Sequence, residues 1–292
     1  MTVPAETLTE EFATRLLGYA ETPAGQVLPP EAEQMVETLL LALERGTVRA
    51  AERDAAGNWR AVPWVKRGIL LGFRVGGIID MSIGGHHGEP RFAFFDKHTF
   101  PPQPLTTANG VRIVPGGTAI RRGAHLAAGV VCMPPSYVNV GAWIGAGTMV
   151  DSHALVGSCA QIGERVHLSA AAQIGGVLEP VNASPVVIED DVLVGGNCGV
   201  YEGTIVRARA VLAAGVVLTR GTPVYDLVHE RVYRADAEHA LEIPAGAVVV
   251  PGARQVGRGW GAAQGLSLQT PVIVKYRDER TDVATALEGW LR

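Results

Sequence analysis

In the stretch YVNVGAWIGAGTMVDSHALVGS, residues 137–158, an acid stands directly after Val150, and Val150 keeps an unusual time. Val138, Ile144, Val150 and Val156 fall six residues apart, whereas a helix repeats every 3.6 residues or so and a strand about every two. If the beat residue points inward, Asp151 points outward. An outward carboxylate can hold an ammonium group, take its proton in a dry groove and free an amine for attack; equally, it can be a solvated strand end. Ser158, seven residues further on, carries a hydroxyl that can meet a carboxylate or bond its own backbone. Gly175 and Gly176 permit close backbone approach by a ligand, or simply a tight corner. Arg112 can grip a carboxylate with two parallel hydrogen bonds, or lie on the surface. Arg207, Arg209 and Arg220 are later cations, open to a phosphate or to solvent, and Glu202 is a second carboxylate.

Zinc would need three ligands converging on one point. His153 is the third residue after its beat, whereas His125 and His167 are the fifth after theirs, so the three do not form one ladder. Cys132, Cys159 and Cys198 are an odd number without CxxC spacing, which reads as small packed residues. No metal site is expected.

The beat is sustained. Ile120, Leu126, Cys132, Val138, Ile144, Val150, Val156, Ile162, Leu168 and Ile174 follow one another at six-residue steps, and Ile188, Val194, Val200, Val206, Leu212, Leu218 and Val224 continue it. Ile174 and Ile188 are fourteen apart, which reads as two hexads plus two residues, with a loop in GGVLEPVNASP. A parallel β-helix needs this pattern: three short strands form a triangular coil of about 18 residues, and each coil stacks on the last. Residues 113–224 give about six coils, a prism roughly 30 Å tall.

Both ends of such a prism are unpaired edges that must be covered. Residues 5–20 and 30–45 read as helices, TVRAAERDAAGNWRAVPW as a hairpin turning at AAGN, and VKRGILLGFRV as a helix leading into a strand. The fold class is therefore mainly β, with an α/β N-terminal domain over 1–108, the β-helix over 109–250 with a hairpin excursion near 225–242, and a strand (PVIVKY) and helix (TDVATALEGWLR) extension over 251–292.

Composition excludes several classes. The net charge is −4, charged residues are 18%, and there is no long basic run, so nucleic acid and anionic membranes are poor partners. The acidic start MTVPAETLTEEFATRLL is unlike a signal peptide, and no segment reaches the roughly 20 apolar residues of a membrane helix, so a cytoplasmic location is expected.

RIVPGG, MPPSYVNVGAW, GTMVDSHALVGSCAQIG, VHLS, IGGVLEP, VIEDDVLVG, EGTIV and IPAGAVVVPG closely resemble the tetrahydrodipicolinate N-succinyltransferases, with weaker colinear likeness in WVKRGILLGFRV, FFDK and SLQTPVIVK. The resemblance implies a left-handed coil. It implies transfer of a succinyl group from succinyl-CoA, used as co-substrate with no permanently bound cofactor, to ring-opened tetrahydrodipicolinate. It further implies a homotrimer with active sites between adjacent prisms. Asp151, in TMVD, matches the acid that binds the amino substrate, and Arg112, in VRIVPGG, matches an arginine that binds a substrate carboxylate, with Ser158 a further candidate there. Many members carry a glutamate where this chain has Gly199, so either Glu202 substitutes or that role is absent. Gly175 and Gly176 are the expected CoA contacts. The rival readings are an acetyl-CoA-dependent transferase, a zinc carbonic anhydrase on the same prism, and a non-catalytic scaffold.

Overall fold

The computed structural model describes residues 8–84 and 91–278. Three helices come first: α1 (Glu10–Ala20), α2 (Pro30–Arg45) and α3 (Pro63–Val75). Thr9 caps α1 by accepting from the Phe12 amide. Helix α2 opens on Pro30 and stops at Gly46, whose left-handed φ of 74° is glycine's to adopt. A Cβ at Gly46 would also stand 2.8 Å from the Trp143 ring, so the end of this helix is pressed against the prism. Leu16, Val36, Leu39, Leu40, Leu43, Val65 and Ile69 close a helical core, which takes Val140 and Cys159 from the prism wall. Between α2 and α3, Ala51–Arg53 pairs antiparallel with Trp59–Ala61, the hairpin expected at AAGN.

The repeat folds as a three-sided column. Strands ending at Ile113, Cys132, Val150, Leu168, Val194 and Leu212 stack in parallel on face one. Those ending at Ile120, Val138, Val156, Ile174, Val200 and Leu218 make face two. Face three carries Leu126, Ile144, Ile162, Ile188, Val206 and Ile243. Of the seventeen beat residues, all but the half-buried Leu126 are buried in one continuous core. Each fully buried aliphatic side chain contributes roughly 1.5–3 kcal/mol by area.

Two counts differ from expectation. Ile174 lies on face two and Ile188 on face three, so a single six-residue step separates them and the insertion holds eight residues, not two. Val224 is buried, but it is not the next rung of face three. It opens a strand, Val224–Asp226, that pairs with Arg231–Tyr233 and Ser267–Tyr276, and Ile243 supplies the rung above Val206. The excursion therefore spans 219–242. Strand Ala247–Gln255 then runs straight through position 250, starting as the seventh strand of face one and continuing as an arm paired with Ser267–Tyr276. The expected division at 250/251 cuts that strand. The expected helix over 281–292 lies outside the described residues, as does the start of the helix expected over 5–20. Among the described residues no helix is long and apolar enough to cross a membrane.

Candidate functional site

Asp151 follows Val150 at the edge between faces one and two, and its side chain is about one-third exposed (31%). Its backbone amide bonds Leu168 O on the next coil at 2.9 Å. One carboxylate oxygen accepts from the Ser152 amide at 2.7 Å, and the other lies 3.9 Å from His167 Nε2. His167 stacks beside Met149 in the parallel register, which brings imidazole and carboxylate together. Sequence reasoning weighed His167 only as a zinc ligand; the 18-residue coil length was the signal that set it next to Asp151. Arg112 is exposed on the same face, in the outward column Arg112, Val131, Met149, His167, two rungs from Met149. That separation is about 10 Å along the axis.

The other predicted residues occupy a different edge. Ser158, Gly175, Gly176 and Glu202 lie where face two turns into face three. Ser158 O accepts from the Val177 amide at 3.1 Å, and a Cβ on Gly176 would stand 2.5 Å from Ser158 N. The two coils thus touch backbone to backbone where the eight-residue insertion leaves the prism. Gly175 would crowd the Tyr201 ring, at 2.8 Å. Glu202, exposed with φ 54°, accepts from the Arg220 amide at 2.8 Å. One chain therefore brings Asp151 and Arg112 to one edge and the remaining four to the next. With the insertion counted as eight residues, Asp151 and Glu202 stand about 2.4 coils apart, roughly 11–12 Å along the axis, where two inserted residues would give about 2.7 coils.

Tyr201 was missed. A Cβ at Gly199 would collide with its ring at 2.4 Å and stand 2.9 Å from its hydroxyl, so Tyr201 fills the space that a side chain at 199 would take. The remaining candidates are engaged elsewhere. Arg207 pairs with Glu189 at 2.9 Å and Glu242 at 2.8 Å, and Arg220 donates to Asp236 O. Burial pushes the Cys132 and Cys159 thiols up to about 12 and raises Cys198, so none is a ready nucleophile. His125 stacks on Trp143 at 4.0 Å and bonds Glu44 O through Nδ1 on face three, away from His153 and His167. Among the described residues no group of three His, Cys, Asp or Glu side chains could hold a metal ion.

Residues 20–75 match the family model for the tetrahydrodipicolinate N-succinyltransferase N-terminal region, and residues 185–220 match that for the hexapeptide repeat of succinyl-transferase. The 2,3,4,5-tetrahydropyridine-2,6-dicarboxylate N-succinyltransferase of Polynucleobacter asymbioticus is 41% identical over 268 residues, covering 90% of this chain and 91% of the relative. The enzyme of the same name from Acinetobacter baylyi is 40% identical over 268 residues, with 90% and 91% covered. A solved Campylobacter jejuni chain described as a 2,3,4,5-tetrahydropyridine-2-carboxylate N-succinyltransferase shares the fold, at TM-score 0.50 and 19% identity over 89% of this chain and 65% of that one. A six-beat prism with an outward aspartate, and such identity along nine-tenths of its length, mean that the chain belongs to the tetrahydrodipicolinate N-succinyltransferase family, hexapeptide-repeat acyltransferases built on the left-handed parallel β-helix.

Proposed function

We propose that the chain transfers the succinyl group of succinyl-CoA to the amino group of ring-opened tetrahydrodipicolinate, giving N-succinyl-2-amino-6-oxopimelate and free CoA in the cytoplasmic synthesis of diaminopimelate and lysine. The observation that carries this reading is the aspartate of TMVD standing outward on a prism edge, in a chain about 40% identical to enzymes of that name over 90% of its length. An α-amino group is mostly protonated at neutral pH and attacks a thioester only when neutral. Asp151 takes one ammonium proton, the amine adds to the thioester carbonyl, and the CoA sulfur leaves. Ammonium and thioester become amide, CoA thiol and one proton released to solvent. Arg112, on the same face, holds a substrate carboxylate in this reading, and Ser158 a second one from across the groove.

The split of the candidates supports an assembly in which copies share the site. Asp151 and Arg112 on one edge, and Ser158, Gly175, Gly176 and Glu202 on the next, make a complete site when the first edge of one copy faces the second edge of another. Three such contacts around an axis close a homotrimer. The narrow backbone at Gly175 and Gly176 then lies where the CoA arm runs, and Glu202 sits at the far end.

The test is steady-state CoA release with succinyl-CoA and with acetyl-CoA, each offered tetrahydrodipicolinate or 2-aminopimelate. Succinyl-CoA is expected to give the higher kcat/KM by at least about tenfold, roughly 1.4 kcal/mol of transition-state binding. A preference of that size for acetyl-CoA would mean the donor named here is wrong.

A further inference from the structure

Face three carries a cavity of about 320 Å³ between the prism and the N-terminal hairpin, and none of the candidate residues above lines it. Its walls include Arg49, Arg53, Trp59, Trp143, Glu189 and Asp190. Most of its charges are already matched. Buried Glu189 accepts from Arg53 and Arg207 at 2.9 Å and from Trp59 Nε1 at 3.0 Å, and Glu164 at the rim pairs with Arg165.

Two charges are left over. Arg49 spends only its Nε, on Gln161 at 2.9 Å, while its guanidinium lies over the Trp143 ring at 4.0 Å and near Trp59 at 5.4 Å. Among the described residues no carboxylate is within ion-pair distance of it, and desolvation pulls its pKa down to about 10. The Trp143 ring lies against the guanidinium and the Nε hydrogen is spent, so its remaining donors are the in-plane Nη hydrogens, the geometry that fits a carboxylate. Asp190 is the counterpart. It is exposed at the rim, accepts from the Glu164 amide at 2.9 Å, and has no cation within ion-pair distance among the described residues. Gly163 makes that position available, because a Cβ there would stand 2.3 Å from Asp190 Oδ1. Arg49 and Asp190 feel each other electrostatically but do not touch.

A desolvated cation and a carboxylate, facing one cavity and too far apart to pair, are complementary to a molecule carrying both charges. We propose that this cavity binds a small zwitterion, an α-amino acid whose carboxylate meets the Arg49 Nη donors and whose ammonium meets Asp190. The cavity volume admits one such molecule.

The test is titration calorimetry on the full chain, using L-alanine, L-glutamate and L-lysine, with propionate and ethylamine as single-charge counterparts of alanine. At least one amino acid is expected to saturate below about 10 mM, and about tenfold more tightly than either counterpart. Asp190→Asn, at an exposed rim position that does not threaten the fold, and Arg49→Gln are each expected to weaken that binding about tenfold or more. Asp151→Asn should bind as wild type does, which separates this cavity from the acyl-acceptor groove. Absence of saturation by all three amino acids, equal binding of propionate, or wild-type affinity in Asp190→Asn overturns the proposal.

Discussion

At Asp151 the chemical demand is set by two acidities. An α-ammonium group is about four pH units less acidic than a free carboxylic acid side chain, so moving its proton to a carboxylate costs about 5 kcal/mol in water. Burial raises a carboxylate and lowers an ammonium, so closure of the groove in the proposed trimer would narrow that gap from both sides. Asp151→Asn keeps an oxygen for the Ser152 amide, the one hydrogen bond this carboxylate accepts from its own chain among the described residues. The variant is therefore expected to melt at the wild-type temperature in circular dichroism and to lose about 10²–10⁴ in kcat. Turnover within about threefold of wild type would remove Asp151 as the base. Gly199 makes a second prediction, for packing. A glutamate there meets the Tyr201 ring, and overpacking of this kind costs about 1–3 kcal/mol. Gly199→Glu should lower the calorimetric midpoint, and pairing it with Tyr201→Ala should restore part of the loss. If the single variant melts as wild type does, Tyr201 is not the occupant of that space.

Among the elements, α2 was legible because both of its limits are written in special residues, Pro29–Pro30 at the start and Gly46 at the end. The six-residue beat was legible because every inward position takes the same kind of side chain. The insertion was not, since fourteen residues divide as well into two hexads and two as into one hexad and eight; only the pairing of Ile188 with Ile162 chooses. The left-handed position three residues after most beats was only half marked, since glycine holds it at Gly123, Gly129, Gly141, Gly147, Gly203 and Gly215, whereas His153, Cys159, Arg165, Ala171, Asp191, Asn197 and Arg209 hold it elsewhere with no common type. The split of the candidate site was available from the count itself, because Val150 and Val156 are successive beats, so Asp151 and Ser158 must fall at successive edges of the prism. The C-terminal hairpin shows an element held by one polar group. Asp226 is buried at the start of the excursion and accepts from the Tyr276 hydroxyl at 2.7 Å and from the Val228 and His229 amides at 2.9 and 3.1 Å, with His229 Nδ1 3.0 Å away. Burial alone would raise its pKa, but hydrogen bonds from Tyr276 and His229 outweigh it and hold the carboxyl at about 2. A depressed folded-state pKa gives stability that is complete above the unfolded value near 3.8 and is lost as pH falls toward 2. Chemical denaturation between pH 5 and pH 2 should show the wild type losing about 2 kcal/mol more than Asp226→Asn. Equal losses in the two proteins would show that Asp226 is not the titrating anchor.

For the whole molecule, the two-edge arrangement makes a prediction that no single-chain site makes. Asp151 stands at the turn from face one to face two, and Ser158 at the turn from face two to face three. In the proposed trimer each reaction groove takes Asp151 from one copy and Ser158 from its neighbour, so a chain lacking one still donates the other. Asp151→Asn alone and Ser158→Glu alone should both be nearly inactive, the second because a carboxylate at that corner repels the substrate's own. When the two variants are unfolded together and reassembled at equal amounts, half of the grooves take their aspartate from a Ser158→Glu chain. Half of those take their serine from an Asp151→Asn chain, so about a quarter of all grooves become intact. Turnover should rise to about a quarter of the wild-type value, against almost none in a mixture that was never unfolded. A site completed within one chain would give no recovery under either treatment. Inactivity of the reassembled mixture, with sedimentation showing that it had formed trimers, would therefore return the reaction to a single prism.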